Sequence, residues 1–261
     1  METSTPEPPT PMRRTIERRR IMARRWLWGA IGVGLLLGAF VWPLDGAIAR
    51  SASTLRESLG GDLRRELETI QQFGDLITTL LIAWVIWAVD PARRRRLLDW
   101  GFAIGLTAVV VSGLKMFIGR PRPKFDDPAL LLGPWGAYPV GDDVGVRHAW
   151  EIGSGISSDL WSMPSSHTAY AAVAGAFLMT VYPRLRGFCV ALIVIVGACR
   201  VLFGAHYPSD VAVGAGIGLG IGLWSARRYA GVRLLDWLWG VAIDRDRVPA
   251  LTGAVRRDRR R

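Results

Sequence analysis

The sequence is poor in the residues that build disulfide or zinc frameworks. Two cysteines, Cys189 and Cys199, occur among 261 residues, and both lie in one apolar stretch. No histidine or carboxylate stands beside them at metal-ligand spacing, which argues against a zinc site and a disulfide scaffold. We interpret both thiols as small buried apolar side chains.

The sequence also lacks a nucleic-acid-binding motif, although its charge is strongly positive. It carries 33 Lys and Arg against 22 Asp and Glu, a formal net charge of +11. The arginines cluster beside apolar stretches and no recognition motif accompanies them. We therefore expect no nucleic-acid partner.

Apolar residues fall in long stretches instead of alternating with charged ones. Half of the chain is hydrophobic, with 12 Trp and 30 Gly, which is a membrane-protein profile. Some stretches are shorter than the roughly 20 residues that cross a hydrocarbon core of about 30 Å, so flanking polar residues must complete those helices. We predict an all-α fold, a polytopic membrane helical bundle with about six transmembrane helices, over 26–42, 76–89, 100–114, 167–182, 187–199 and 211–226.

The arginines predict how this bundle is oriented. They are concentrated at every second junction between apolar stretches, which the positive-inside rule assigns to the cytoplasm. The intervening segments carry balanced or acidic charge and are expected on the outer side of a bacterial inner membrane, with both termini cytoplasmic. The arginine-rich junctions are 13–25, 93–96, 184–186 and 227–228, and the outer segments are 43–72, 119–164 and 204–209.

Three regions are predicted along the chain. Residues 1–25 are expected to be a disordered, arginine-rich cytoplasmic tail, because the proline-rich polar start cannot bury a face. Residues 26–230 form the membrane domain, and 231–261 a basic cytoplasmic tail. An alternative for the first span is a secretory signal cleaved near Ala47-Ile48-Ala49, although its length and flanking tryptophans favour a retained anchor.

Two further patterns predict helical features. Leucine and isoleucine recur at helical spacing from Leu55 to Ile70, which predicts an amphipathic helix on the outer surface, weakened at Gly60-Gly61. In the last span, glycine occupies every second position from 214 to 222, which predicts close approach of neighbouring helices.

Three polar clusters border the apolar stretches, and all three fall on the predicted outer side. Together they contain cations for phosphate oxygens, a nucleophile, a carboxylate that orients it and a proton donor. This combination predicts phosphoryl transfer. The clusters are Lys115 with Arg122-Pro123, then Pro164-Ser165-Ser166-His167, then Arg200 with His206 and Asp210.

The first two clusters lie where helices end and begin. Prolines on both sides of Arg122 predict that the helix carrying Lys115 has ended, so that Arg122 lies on a loop folding back. Ser165 and Ser166 precede a long apolar segment and are expected to cap it, with backbone N–H groups available to an anion. His167 would then stand in the first turn, where it can protonate a departing alkoxide.

The third cluster contains the candidate nucleophile. Asp210 is expected on the first turn of the last span, four residues after His206, where its carboxylate can reach the imidazole. A carboxylate bound to one ring nitrogen fixes the tautomer and leaves the other nitrogen a lone pair for attack on phosphorus. Arg200 and Lys115, like Arg122, would neutralise the phosphate oxygens.

The third histidine, His148, has no comparable partners in its segment. We interpret it as a loop residue. Aromatic side chains nearby predict a segment at the headgroup level that covers the site, and they are Trp135, Tyr138, Trp150 and Trp161.

The clusters resemble the three-part signature of the type 2 phosphatidic acid phosphatase superfamily, which also includes vanadium haloperoxidases. Lys115 to Arg122-Pro123 matches the first part fully. The second part has Ser166 where glycine is usual, and the third has Cys199 where serine is usual, while every charged and imidazole position is present. The motifs cover 115–210, and the span layout extends the resemblance over roughly 70–230.

The resemblance implies a role for each site residue. His206 would be the nucleophile that forms a phosphohistidine, Asp210 its orienting carboxylate and His167 the acid. Phosphate would be held by Lys115, Arg122, Ser165, Ser166 and Arg200. No metal or other cofactor is implied, and a site with one carboxylate among cations is a poor magnesium site.

The predicted function is metal-independent hydrolysis of a phosphomonoester or pyrophosphate on a lipid headgroup at the outer interface. The alternatives are a lipid phosphotransferase with the same site, a haloperoxidase, and a non-enzymatic membrane protein that binds anionic lipid. The substrate and the bilayer are the expected partners. The sequence leaves open which lipid phosphate is used, the oligomeric state, and the effects of Ser166 and Cys199.

Overall fold

A computed structural model describes residues 11–140, 145–151, 153 and 155–243. This part of the chain is helical apart from one short antiparallel ribbon, in which β1 (Tyr138–Pro139) pairs with β2 (Val146–Arg147). The helices are α1 (Pro11–Val41), α2 (Asp45–Ser58), α3 (Gly61–Ile70), α4 (Leu76–Val89), α5 (Leu97–Ile118), α6 (Ser166–Val181), α7 (Arg186–Leu202), α8 (Pro208–Arg228) and α9 (Ala230–Ala242).

The all-α membrane bundle is confirmed, and each of the six predicted apolar stretches coincides with a helix, apart from the end residues Trp42 and Tyr182. Four helical segments of the described chain are by themselves long and apolar enough to cross a membrane. A fifth is obtained when α3 and α4, which meet at a bend of 65°, count as one span. The predicted number of six spans is therefore approximate.

The sixth candidate, α6, is shorter because it occupies the centre of the bundle. It has 16 residues, of which ten are buried. It packs against α8, α7 and α5, and Phe177 stacks on Trp100 of α5 with ring centroids 4.9 Å apart. A helix surrounded by protein does not need an apolar exterior long enough to match the hydrocarbon core.

Glycines let α8 approach two neighbours at once. On one face, a Cβ on Gly218 would overlap the carbonyl oxygen of Ala169 in α6. On the other face, a Cβ on Gly216 would stand 2.8 Å from the Cα of Gly34 in α1. The predicted close approach at the glycine repeat is confirmed, since alternate glycines serve opposite faces of the helix.

Three boundaries differ from the sequence prediction. Helix α1 begins at Pro11, so the stretch 11–25, predicted as disordered, is helical; residues 1–10 lie outside the described part. The amphipathic segment is two helices, α2 and α3, because Leu59 and Gly60 take extended conformations between them.

The predicted C-terminal tail begins as a docked helix. In α9 the backbone N–H of Val232 donates to Asp99 at 3.1 Å, and Gly231 lies directly against the Leu98 carbonyl. This burial needs a tertiary partner, which explains why a segment of mixed polarity folds here. The rest of the predicted tail, 244–261, lies outside the described residues.

Candidate active site

The first polar cluster is built by the end of α5. Gly119 terminates the helix in the left-handed region, at φ +59°, and a side chain there would overlap the Tyr138 hydroxyl. Lys115 in the last turn donates from Nζ to the Trp161 carbonyl at 2.7 Å. Arg122 lies on the following loop, as predicted, and pairs with Asp159 at 3.0 Å.

The second cluster is the start of α6. Ser165 is the N-cap residue, and its hydroxyl accepts a hydrogen bond from the backbone N–H of Thr168 at 3.5 Å. Ser166 and His167 occupy the first turn, as expected. The backbone N–H of Ser165 also donates to the Asp210 carbonyl at 3.0 Å, which joins this helix start to the start of α8.

The third cluster spans the turn between α7 and α8. Arg200 in the last turn of α7 donates from a terminal guanidinium nitrogen to Gln71 Oε1 at 3.0 Å. Its backbone carbonyl accepts the N–H of His206 at 3.2 Å, so the turn itself places the imidazole beside the guanidinium-bearing residue. His206 is almost fully buried, with 2% of its surface exposed.

A serine connects the imidazole to the carboxylate. His206 Nδ1 stands 3.8 Å from Asp210 Oδ2, so the predicted direct hydrogen bond is not formed. Ser162 Oγ lies between them, 2.5 Å from Asp210 Oδ2 and 3.2 Å from Nδ1. Because the hydroxyl hydrogen goes to the carboxylate, Oγ is left to accept from Nδ1–H. This arrangement leaves the lone pair on Nε2.

The carboxylate of Asp210 is held by further donors. The backbone N–H of Tyr207 donates to it at 2.9 Å, and Arg120 donates at 2.8 Å. Arg120 is fully buried and makes a second ion pair of 2.8 Å with Asp45, the first residue of α2. Three elements of the chain, α2, the loop after α5 and α8, thus meet at one buried guanidinium.

Aromatic rings enclose that guanidinium. The Trp42 ring centroid lies 3.9 Å from it and the Tyr207 ring centroid 4.2 Å. Ser209 also takes part, accepting from Arg120 at 2.8 Å and donating to Asp45. Every charge in this cluster is paired and hydrogen-bonded, which is the condition under which burying charges is tolerated.

The three predicted clusters come together in the fold. Lys115 interacts electrostatically with Arg122, Asp210 and Arg200, which belong to the first and third clusters. His167 of the second cluster interacts with Arg200, Lys115 and Arg122. The cations therefore surround both histidines.

Two guanidinium nitrogens in this site carry unused hydrogen-bonding capacity. The Nε atoms of Arg122 and Arg200 are buried and have no hydrogen-bond partner among the described residues. A buried donor without a partner costs about 1–3 kcal/mol, so an oxyanion that accepts from both would be strongly favoured. The donor set suits phosphate.

Burial sets the protonation state of His206. It lowers the pKa of this imidazole to about 4, against the opposing effect of the Asp210 carboxylate. The ring is therefore neutral at pH 7 and its Nε2 is nucleophilic. On the adjoining loop, the hydrogen bond from Lys124 lowers the pKa of Asp159, which keeps that carboxylate charged opposite Arg122.

Four residues of the site were not predicted from the sequence: Asp45, Gln71, Arg120 and Ser162. A signal for Arg120 was present, since a second arginine precedes Arg122 by two residues at the end of a span. The roles of Asp45 and Gln71 depend on contacts across 75 and 129 positions, which no local pattern shows.

The remaining sequence predictions concern residues outside the polar site. His148 is a loop residue, as predicted, and stacks on Trp150 with ring centroids 4.4 Å apart. Cys189 and Cys199 are buried and unpaired. Among the described residues, no three His, Cys, Asp or Glu side chains are grouped as metal ligands.

The PAP2 superfamily model matches residues 96–233, a little over half of the chain. The chain therefore belongs to the PAP2 superfamily, and it is an integral membrane phosphatase.

Curated relatives act on lipid phosphates. A lipid A 1-phosphatase of Rhizobium etli is 33% identical over 185 residues, which cover 64% of this chain and 72% of the relative. A decaprenylphosphoryl-5-phosphoribose phosphatase of Mycobacterium tuberculosis is 29% identical over 156 residues, covering 59% of this chain and 73% of that protein.

Solved structures share the fold. The PAP2-type phosphatidylglycerolphosphate phosphatase of Bacillus subtilis superposes with a TM-score of 0.55 at 21% identity, over 79% of this chain and 96% of that chain. Aquifex aeolicus LpxE superposes with a TM-score of 0.50 at 22% identity, over 70% of this chain and 94% of that chain.

Proposed function

We propose that this protein is a metal-independent lipid phosphatase that acts at the outer membrane interface. It hydrolyses a phosphomonoester or a pyrophosphate on a lipid headgroup. The observation that carries the proposal is a neutral, buried His206 in a site where the buried Nε donors of Arg122 and Arg200 have no hydrogen-bond partner among the described residues. The names of the relatives support a phosphate carried on a lipid anchor.

The reaction proceeds in two displacements at phosphorus. His206 Nε2 attacks, the P–N bond forms, and the bond from phosphorus to the lipid oxygen breaks as His167 gives that oxygen a proton. Lys115, Arg122 and Arg200 neutralise the equatorial oxygens, together with the N–H groups at the start of α6. Water then attacks the phosphohistidine, His167 takes its proton, and inorganic phosphate leaves.

The outer location is supported by the distribution of arginines. Arg96 is the N-cap residue of α5, and Lys115 lies in the last turn of that helix, so a helical rise over 19 positions separates them by about 28 Å. Arg227 and Arg228 end α8, whose first turn holds Asp210. The site and the arginine-rich junctions thus lie at opposite ends of the same helices, and the positive-inside rule assigns the junctions to the cytoplasm.

The decisive experiment separates nucleophile from acid. His206→Ala should lower phosphate release by about 10³-fold or more and abolish acid-labile phosphoenzyme. His167→Ala should cost about 10²–10⁴-fold with an alkyl phosphate lipid but much less with p-nitrophenyl phosphate, whose leaving group needs no proton. His148→Ala, the histidine of the loop, is the matched control and should retain activity.

The same assay tests the other parts of the proposal. Excess chelator should leave the rate unchanged, and inorganic phosphate should appear without any added acceptor alcohol. Turnover of His206→Ala at the wild-type rate would contradict the mechanism. Product that forms only when an acceptor is added would identify a phosphotransferase instead.

A further inference from the structure

A second basic site lies at the opposite end of the bundle. A cavity of about 950 Å³ opens where the segment before α5, the end of α8 and α1 meet. It is unrelated to the three polar clusters, which lie about 28 Å away at the far end of α5. Its charged and aromatic lining consists of Arg93, Arg95, Arg96, Arg227, Trp26 and Tyr229.

The cavity has an excess of positive charge. No Asp or Glu is among the described residues that line it. Two carboxylates pair with its arginines from outside: Asp90 lies 2.5 Å from Arg93, and Asp99 lies 3.2 Å from Arg96. Arg93 and Arg96 each have a carboxylate partner, and Arg227 has none among the described residues, so the guanidinium of Arg227 keeps a positive charge that an anion would balance.

Aromatic rings hold three of the guanidinium groups, and that of Arg93 lies 4.7 Å from the Tyr182 ring centroid. The Arg96 guanidinium lies 3.9 Å from the Tyr229 ring centroid, and that of Arg227 lies 4.4 Å from the Trp26 ring centroid. Stacking fixes the planar group while its edge can still donate hydrogen bonds. A planar fork of this kind matches two oxygens of a phosphate. Tryptophan and tyrosine are also the residues that favour the headgroup level of a membrane.

An apolar groove continues from this cavity along the helices. The groove, of about 680 Å³, lies between α1 and α8 and shares Met22 and Trp26 with the cavity. It extends along α1 to Leu37, opposite Ala212, and its one charged lining residue, Arg25, lies at the cavity end. The 15 residues from Met22 to Leu37 rise about 22 Å, more than the roughly 15 Å of one leaflet's hydrocarbon.

We propose that the cavity and the groove form one binding site for an anionic phospholipid. The phosphodiester lies against Arg93 and Arg227, and one acyl chain follows the groove between α1 and α8. The combination favours an anionic lipid. A free anion would pair with the arginines but leave the groove empty, and an uncharged lipid would fill the groove but leave the arginines unpaired. This proposal does not depend on the reaction catalysed at the other end.

The test is a lipid-binding measurement on the full-length protein in detergent. Phosphatidylglycerol is a suitable probe because it is a phosphodiester, and native mass spectrometry counts bound molecules. We expect one phosphatidylglycerol to bind at least tenfold more tightly than phosphatidylcholine with the same acyl chains. The double variant Arg93→Gln/Arg227→Gln should lose that preference. Arg64→Gln/Arg65→Gln, which removes two exposed arginines of α3 outside the cavity, should keep it.

The groove is tested separately. Gly29 lines it and has open space around its Cα, so Gly29→Leu should fill the groove and weaken phosphatidylglycerol binding at least fivefold. Gly101→Leu on α5, also in open space but outside the groove, is the control and should bind as wild type. All variants should hydrolyse p-nitrophenyl phosphate normally, which shows that they fold.

Two results would overturn the proposal. Equal affinity of the wild-type protein for phosphatidylglycerol and phosphatidylcholine would show that the basic cavity does not bind an anionic headgroup. Binding of deacylated glycerophosphoglycerol as tightly as the intact lipid would show an anion site with no role for the groove. If His206→Ala loses hydrolysis but still binds phosphatidylglycerol, the result supports the lipid site and bears only on the proposed catalytic mechanism.

Discussion

Ser162 lies between the buried Asp210 carboxylate and His206, the proposed nucleophile. Its hydroxyl donates to Asp210 and accepts from His206, so the negative charge reaches the imidazole through one intervening oxygen. This fixes the Nδ1–H tautomer without a full charge directly against the ring. The 3.8 Å separation also limits how far Asp210 raises the basicity of His206, which is consistent with the low pKa of that ring.

Removal of this hydroxyl should affect turnover more than binding. We expect Ser162→Ala to lower kcat about tenfold to hundredfold with little change in KM, because Nδ1–H loses its acceptor and the tautomer is no longer fixed, a loss of about 1–3 kcal/mol. Steady-state kinetics measure the split. Ser158→Ala, at an exposed position, is the control. An unchanged kcat in Ser162→Ala would show that the serine does not connect Asp210 to His206.

At the level of elements, the buried Arg120 ties three parts of the chain together. It pairs with Asp45 at the start of α2 and with Asp210 in the first turn of α8, and it lies itself on the loop that follows α5. Because α2 follows α1 after three residues, this guanidinium anchors the first transmembrane helix to the end of the bundle that holds the candidate active site.

Breaking this network should be costly. Arg120→Met leaves the two carboxylates, Asp45 and Asp210, buried and unpaired, and we expect a loss of about 3–5 kcal/mol in the free energy of unfolding. Asp45→Asn leaves the ion pair between Arg120 and Asp210 intact, so it should lower the free energy of unfolding by less, about 1–3 kcal/mol. Thermal unfolding in detergent ranks the two variants. Equal stability of Arg120→Met and wild type would contradict a tying role.

The glycine repeat of α8 makes an equally specific prediction about helix packing. Gly218→Ala would push a methyl group into the Ala169 carbonyl, and we expect it to destabilise the fold by about 1–3 kcal/mol. Gly105→Ala in α5 meets no atom within 4 Å and should instead stabilise by about 0.5–1 kcal/mol, since alanine is the better helix former. Melting of both variants at the same or higher temperature than wild type would contradict close packing at Gly218.

For the whole molecule, the two ends of the bundle are chemically different. One end collects the two histidines proposed to be catalytic, His167 and His206, with their cations, and the other end collects the arginines that line the basic cavity. A membrane-impermeant thiol reagent distinguishes their sides. Applied from outside to intact cells, it should label Val146→Cys on the ribbon and miss Ala92→Cys beside the arginines, since both positions are exposed and the native cysteines are buried. The reverse pattern would overturn the proposed topology.

The sequence determined the parts whose cause is local. Long apolar stretches predict membrane helices because an apolar face must leave water, and arginines beside them predict orientation. Ser165 at the start of α6 and the prolines around Arg122 predict helix ends because capping and the missing proline N–H act within a few residues. The motifs that contain His167, His206 and Asp210 are also local, because each spans only a few residues of the sequence.

How these parts are joined depends on long-range packing. Ser162 reaches His206 and Asp210 because the loop before α6 lies against α8. Asp45 pairs with Arg120, 75 positions later in the chain, because α2 folds back onto the loop after α5. The docking of α9 on α5 and the continuity of the basic cavity with the α1–α8 groove have the same origin. These contacts join residues far apart in the chain, so their energy depends on how the helices pack, which no local pattern encodes.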